Sequence, residues 1–527
     1  MCPSFPIPES LPPLATAIVV YHSQRPAQSA SVGRNGAGLV FHMSRLIVSG
    51  AEEAYDAQAI SAKLAAEMER KNSSPNSEQN AMLSRRTFLR LSSAGAAATA
   101  VTKWTMNASA QDQPPPQTPR GPLPPPIAAL PSMTARVRPI TNAERLARVE
   151  KAKALMAANK IDAIALCGGT STLYFANAHI GGGERLWAVV IPAKADPFIV
   201  CPAFEEGRAR ELLANSPFGP AADIRVWQED ENPFALLIKS LKDRGIGTGR
   251  LGIEETVKYV FSSSIAKAGA HAIEAVSATP VTAGCRMIKT DHEVECLRIA
   301  AHATLSVYEA VYKSLKEGMT GTDVQALVRA AYAQVGFVGN ASLNIGEYTA
   351  LPHGSRTPQT IREGTIIMLD DGCRVEGFTS DITRTFVLGK PTDKMVKVFN
   401  IVHEAQQAAL KAAKPGVVTE AVDAAARKVI VDAGYGPGFK YFTHRVGHGL
   451  GMDMHEWPYL VDNNMWGSLL QPVLQANMTT SDEPGIYIPG EFGIRLEDDM
   501  HVTEDGAELL TPASPALDNP FASGASS

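Results

Sequence analysis

Along the middle of the chain, stretches of helical periodicity alternate with short apolar runs. A helix is predicted from Ala143 to Asn159, opening after Thr141, and a strand from Ile161 to Leu166. Leu186–Ile191 and Phe198–Cys201 read as further strands, and helices follow near Glu205–Ala214 and Phe234–Arg244. This alternation describes an α/β domain over residues 141–284, with helices packed on a mixed sheet. Beyond it, a long amphipathic helix is predicted from Asp291 to Leu315. Others cover Thr322–Gln334, Lys394–Ala413 and Thr419–Ala433, and strand-like segments lie between and after them. Residues 285–515 therefore read as an α+β domain, and 516–527 as a tail.

The chemistry of the chain is concentrated in those later segments. Asp370 ends the apolar run Thr365-Ile-Ile-Met-Leu and is followed by Asp371-Gly372, so it projects from a strand end into a turn. Asp381, eleven residues on, opens Asp-Ile-Thr-Arg-Thr-Phe, which reads as a strand pairing with the first, the two carboxylates meeting across a hairpin. His448 lies in the glycine-rich stretch Thr443-His-Arg-Val-Gly-His-Gly-Leu-Gly-Met-Asp-Met-His-Glu-Trp-Pro-Tyr. Glu483 begins Glu-Pro-Gly-Ile-Tyr, and Glu497 ends Gly493-Ile-Arg-Leu-Glu, with Arg495 on the same face. Four carboxylates and one imidazole suit two hard or borderline divalent ions, Mn²⁺, Fe²⁺, Co²⁺ or Zn²⁺, better than a thiolate-bound structural zinc. Carboxylates gathered without a cation would be strongly unfavourable.

In order and context, these segments resemble peptidase family M24, the pita-bread metallopeptidases, over roughly residues 140–515. The Gly-Glu-Phe-Gly-Ile-Arg-Leu-Glu and His-Glu-Trp-Pro-Tyr stretches are similar to the branch holding Xaa-Pro dipeptidase and aminopeptidase P, whose N-terminal domain is creatinase-like. The resemblance implies two divalent ions, with Mn²⁺ the family expectation, held by Asp370, Asp381, His448, Glu483 and Glu497. It implies a bridging hydroxide as nucleophile, and Glu483 as proton acceptor. It also implies that His353 and His455 donate to the substrate carbonyl, and that Arg495 holds a carboxylate, either the substrate's terminus or a metal ligand's. His444 is expected as a pocket or supporting residue, and Trp457 and Tyr487 either wall a proline pocket or pack in the core. The substrates implied are Xaa-Pro dipeptides or short peptides, and the assembly a homodimer. Two other classes share the scaffold: a metal-dependent lyase or non-peptide amide hydrolase, and a non-catalytic binding protein.

The first part of the chain reads differently. Ser84-Arg-Arg-Thr-Phe-Leu-Arg, a weakly apolar stretch and Ala108-Ser-Ala form a twin-arginine signal over residues 84–110, predicting export to the periplasm or beyond by the twin-arginine machinery, with Gln111 first in the mature protein. Residues 1–83 read as a disordered extension, or as a start placed too early, with Met43, Met68 or Met82 as true starts. Residues 111–140 read as an extended proline-rich linker. A formal charge of −5 without a long basic run gives nucleic acid no handle. No apolar stretch reaches the length of a membrane span. Gly247-Thr-Gly-Arg-Leu-Gly252 fits a dinucleotide pattern but follows a predicted helix and precedes a strand, the reverse of the required order. Past Cys2, five cysteines remain without metal-binding spacing and read as buried thiols, with Cys373, three residues from Asp370, the one placed to make the enzyme sensitive to oxidation.

Overall fold

Helix α1 (Asn142–Asn159) begins where Thr141 accepts from the backbone N–H of Glu144 at 3.2 Å and the Glu144 carboxylate reaches back to the Thr141 N–H at 2.7 Å. This reciprocal cap satisfies two donors that the first helical turn leaves free. The computed structural model describes residues 121–462 and 473–521, all in one unit of the chain. The twin-arginine segment, everything before it, the start of the proline-rich stretch and the last residues of the tail lie outside the described residues.

The N-terminal domain is built on β1 (Ala163–Leu166), β2 (Ala188–Pro192), β3 (Phe198–Pro202), β4 (Asp223–Trp227), β5 (Gly249–Ile253) and β6 (Ile273–Ser277), in the spatial order β4-β3-β2-β1-β5-β6. The β1–β2 and β2–β3 pairs are antiparallel and the others parallel. Strands β1 to β3 are buried on both faces, which is why they appear as unbroken apolar runs rather than alternating ones. Helices α2 (Thr170–Ala176), α3 (Glu206–Leu213), α4 (Pro233–Lys242), α5 (Tyr259–Gly269) and α6 (Thr279–Met287) complete the domain. Gly247–Gly252 leads from α4 into β5, the wrong order for a phosphate-binding turn.

The proline-rich stretch departs from the expected extended linker. Pro125–Ala128 forms a helical turn, Ile127 is fully buried in the core, and the Met133 N–H donates to the Val335 carbonyl at 2.9 Å. Proline is tolerated in a first helical turn, and burying Ile127 rewards the ordering.

The second domain has two halves. In the first, α7 (Asp291–Tyr312) and α8 (Gly321–Val335), each opened by a capping box, pack with a sheet of β8 (Ser342–Ile345), β9 (Ile366–Asp370) and β12 (Arg384–Val387). A small sheet joins β7 (Val338–Gly339) to β10 (Cys373–Val375) and β11 (Phe378–Thr379). In the second half, α9 (Asp393–Ala412) and α10 (Thr419–Asp432) share a separate apolar core with a five-stranded sheet ordered β14-β13-β15-β18-β19. Those strands are β13 (Gly447–Gly449), β14 (Glu456–Leu460), β15 (Thr479–Asp482), β18 (Asp498–Val502) and β19 (Ala507–Leu509), and β16 (Gly485–Ile488) pairs with β17 (Phe492–Arg495) alongside. The halves are joined at an isolated bridge where Thr383 and Glu497 exchange two backbone hydrogen bonds of 3.2 Å. Among the described residues, no helix is long and apolar enough to cross a membrane.

Candidate metal centre and active-site cleft

The bridge between the halves is also where the charged side chains converge. Asp370 ends β9, and Asp381 lies three residues before β12 rather than inside it, because the hairpin of β10 and β11 interrupts the connection. The expected simple hairpin is thus an excursion that returns Asp381 beside Asp370. His448 occupies the middle of β13, Glu483 follows β15, and Glu497 sits between β17 and β18. Oxygens of Asp370, Asp381 and Glu497 lie within 4.8 Å of one another, as do ligand atoms of His448, Glu483 and Glu497. All five predicted ligands are brought together. His455 joins Asp381 and His448 in a third such group, its ring stacked on that of His448 at 3.7 Å.

The glycines around His448 have a packing reason. A Cβ at Gly447 would stand 2.2 Å from the Ser481 carbonyl oxygen, and one at Gly449 2.2 Å from that of Trp457. Only glycine lets the neighbouring strands approach closely enough to place the imidazole among the carboxylates.

Electrostatically the cluster is far from balanced. Burial first, then the charges of Asp370 and Glu483, push the Asp381 carboxyl well above the ordinary range. Glu497 is pushed the same way by burial and by Asp381. Burial also opposes ionisation of Glu483, yet the hydrogen bond with His448 and the charges of His444, His448 and Arg495 hold it below its usual value. The Nδ1 of His448 faces the Gly449 carbonyl at 3.1 Å, and its Nε2 faces Glu483 (3.3 Å) and Asp381 (3.7 Å). An imidazole nitrogen and several buried carboxylates that converge on one point suit a cation held among them. The donor set therefore fits oxygen-preferring divalent ions with one imidazole ligand.

Arg495 resolves one of the alternatives left by the sequence. Its Nη2 meets Asp370 at 2.5 Å, its Nε donates to Thr383 at 3.0 Å, and its Nη1 to the Pro352 carbonyl and the Tyr487 hydroxyl. The guanidinium is spent on the carboxylate of Asp370, not left open to substrate. Thr383, which sequence reasoning missed, places its hydroxyl 2.6 Å from both Asp370 and Glu497. Its position in the strand after Asp381 was the only available signal.

A cavity of about 720 Å³ opens above the cluster, lined by His353, His444, Arg445, Met454 and His455. Burial, then the neighbouring His448, brings the His455 imidazole down to about 4, so it is neutral near pH 7. His444 bonds the Tyr487 hydroxyl at 2.7 Å and is likewise shifted down by burial. Trp457 and Tyr487 do not wall the cavity. Both are buried and packed, Trp457 against Tyr459 and Tyr487 against His444 and Arg495. Arg445 also escaped the sequence reading. Its guanidinium lies over the Tyr459 ring at 4.2 Å, and among the described residues it forms no ion pair. Cys373 contradicts the expected sensitivity to oxidation, since it is buried against Thr304 and the Ala300 carbonyl, and burial pushes its thiol up to about 12.

A two-halved α+β domain with a carboxylate–histidine centre on its seam, preceded by an α/β domain, is the pita-bread architecture with a creatinase-type N-terminal domain. The chain belongs to metallopeptidase family M24: residues 295–504 match the family and residues 148–288 match the creatinase/prolidase N-terminal domain. The Xaa-Pro dipeptidase of Lactobacillus delbrueckii subsp. lactis is 30% identical over 381 residues, 68% of this chain and 95% of that protein. The dipeptidase of Pyrococcus horikoshii OT3 superposes with a TM-score of 0.61 at 33% identity, covering 70% of this chain and 99% of the other. Dipeptidase PepE of Mycobacterium ulcerans gives 0.65 at 30% identity, covering 73% and 99%.

Proposed function

We propose that this protein is a metal-dependent Xaa-Pro dipeptidase, and the convergence of Asp370, Asp381, His448, Glu483 and Glu497 on one seam is the observation that carries the reading. Asp370, Asp381, His448, Glu483 and Glu497 would together hold two divalent ions. Mn²⁺ suits this donor set. When bound, the ions supply Lewis acidity and hydroxide as nucleophile near neutral pH.

The chain's own groups do the rest. His455 and His353 face the cavity and donate to the carbonyl oxygen of the bond before proline, where negative charge develops. Glu483, whose carboxyl is held below its usual value, receives the proton of the attacking water and delivers it to the departing proline nitrogen. Proline's tertiary amide offers no N–H, so a site that grips the carbonyl and the two ends of a short peptide suits it better than one that pairs with extended backbone. Arg445 supports a dipeptide in particular, because a cleft cation with no ion pair among the described residues is matched by a free carboxylate one residue beyond the cleaved bond. Dipeptidase and Xaa-Pro dipeptidase relatives point to the same substrate class.

The cellular setting belongs to the same proposal. Twin-arginine export carries proteins already folded, which suits an enzyme loaded with metal before it reaches the periplasm, and a homodimer is the expected assembly.

Hydrolysis of Ala-Pro and Ala-Pro-Pro by metal-stripped protein, then by protein given Mn²⁺, tests the reading, with Asp381→Asn as control. Metal-dependent release of alanine, with preference for Ala-Pro and none from the variant, is expected. A folded protein that binds metal and cleaves neither peptide would overturn it.

A further inference from the structure

His455 is held in an unusual way for a residue given a catalytic role. It is partly exposed to the cavity, makes no hydrogen bond among the described residues, and meets the centre through its stack on His448, with Asp381 beside it. Its placement must therefore come from the backbone on either side.

That backbone is gripped from outside the catalytic domain's own sheet. Glu456, the next residue, is buried and forms an ion pair with Arg286 in the last turn of α6, and a second with Lys289 at 2.8 Å, in the connector to α7. The same Arg286 guanidinium holds Asp453 at 2.6 Å, and Thr170 at the start of α2 donates to the other oxygen of Asp453 at 2.5 Å. Within the loop, the Asp453 N–H turns back to Glu456 at 3.4 Å. Two residues on either side of Met454-His455 are thus tied by charged contacts to the N-terminal domain and its connector, while Met454 and His455 face the cavity.

Two acidic and two basic side chains balance one another here. Ion pairs of this burial contribute little net stability compared with apolar packing of the same volume, and their best-attested use is to fix one arrangement among several. The arrangement fixed is the one that lays the His455 ring on that of His448.

We propose that Glu456, clamped by Arg286 and Lys289, is the positioning residue for His455, so that the N-terminal domain completes the active site. The proposal rests on the role given to His455 above. Displacing a catalytic group by about 1 Å costs on the order of 100-fold in rate.

The experiment is a double-mutant cycle in the full, Mn²⁺-loaded protein. Glu456→Gln is expected to lower kcat on Ala-Pro by roughly 10- to 100-fold, with KM and metal content little changed. His455→Ala is expected to lower it too, and the double variant to be no slower than His455→Ala alone. Lys289→Met, which leaves Arg286 on Glu456, serves if Glu456→Gln does not fold, with the same non-additivity. Losses that multiply, or a Glu456→Gln protein with wild-type kcat, would overturn the clamp. If the wild-type protein cleaves no peptide, the peptidase reading falls separately. The ring resonances of His455 in NMR then decide: a shift in Lys289→Met supports the clamp, and unchanged resonances refute it.

Discussion

Arg445 shows how much rests on a single side chain whose meaning depends on what is not beside it. Arg495 is occupied by Asp370, and burial lowers the His444 and His455 imidazoles, leaving Arg445 as a cleft cation that forms no ion pair among the described residues. Its stack on Tyr459 pre-orders the guanidinium without neutralising it. Charge-assisted hydrogen bonds of this kind contribute about 1.5–3 kcal/mol. Arg445→Gln is accordingly expected to lower kcat/KM for Ala-Pro by roughly 10- to 100-fold. Cleavage of Ala-Pro-amide, which lacks the carboxylate, should be unaffected. Equal losses on both peptides would remove Arg445 from recognition of the substrate's end.

At the scale of elements, the helices were legible and the short strands were not. The ends of α7 and α8 are written locally, in Thr290 with Glu293 and Thr320 with Asp323, which cap the first turns whatever lies around them. Strands β7 and β11 have two residues each, and exist only because β10 pairs with both, a fact of distant neighbours. The same division applies to the site. The five candidate ligands stand in recognisable local contexts, whereas Thr383, Arg445 and Glu456 acquire their partners from segments up to 170 residues away. The proline-rich stretch was misread for the opposite reason: its composition describes a free chain, and the buried Ile127 overrides it. Glycine at 449 offers a test at this scale. Gly449→Ala would drive a Cβ into the Trp457 carbonyl, displacing β13 and the His448 it carries. Overpacking against backbone costs about 1–3 kcal/mol or more, so the melting temperature and the metal content should fall together. Gly207→Ala, on α3 with open space around its Cβ, should be neutral or slightly stabilising, and a similar loss there would discredit the steric account.

Over the whole molecule, the acidic seam makes stability depend on pH in opposite senses with and without metal. The carboxyls of Asp381 and Glu497 are raised in the folded protein, so the folded state holds their protons more tightly than the unfolded chain does. Their contribution is complete below the ordinary carboxylate range, about 4, and is lost as pH rises above it. Glu483, held low, acts in the other direction, but only below that range. Metal-free protein is therefore expected to melt at a lower temperature at pH 8 than at pH 5.5. Metal requires the ligands deprotonated, so Mn²⁺-loaded protein should show the reverse order. Thermal melts at the two pH values, with and without Mn²⁺, check the sign, and a metal-free protein more stable at pH 8 would contradict it.

The seam has one more consequence. Asp370, Asp381 and Thr383 come from the half built on α7 and α8, while His448, Glu483 and Glu497 come from the half built on α9 and α10. Neither half owns a complete set of donors, so the ions that perform the chemistry would also add a stitch to a seam already held by the Thr383–Glu497 bridge and the buried Arg384–Asp498 ion pair. A chain opened in the connector between β12 and α9 would then be two pieces whose reunion metal strengthens, and whose affinity for one another would report metal binding.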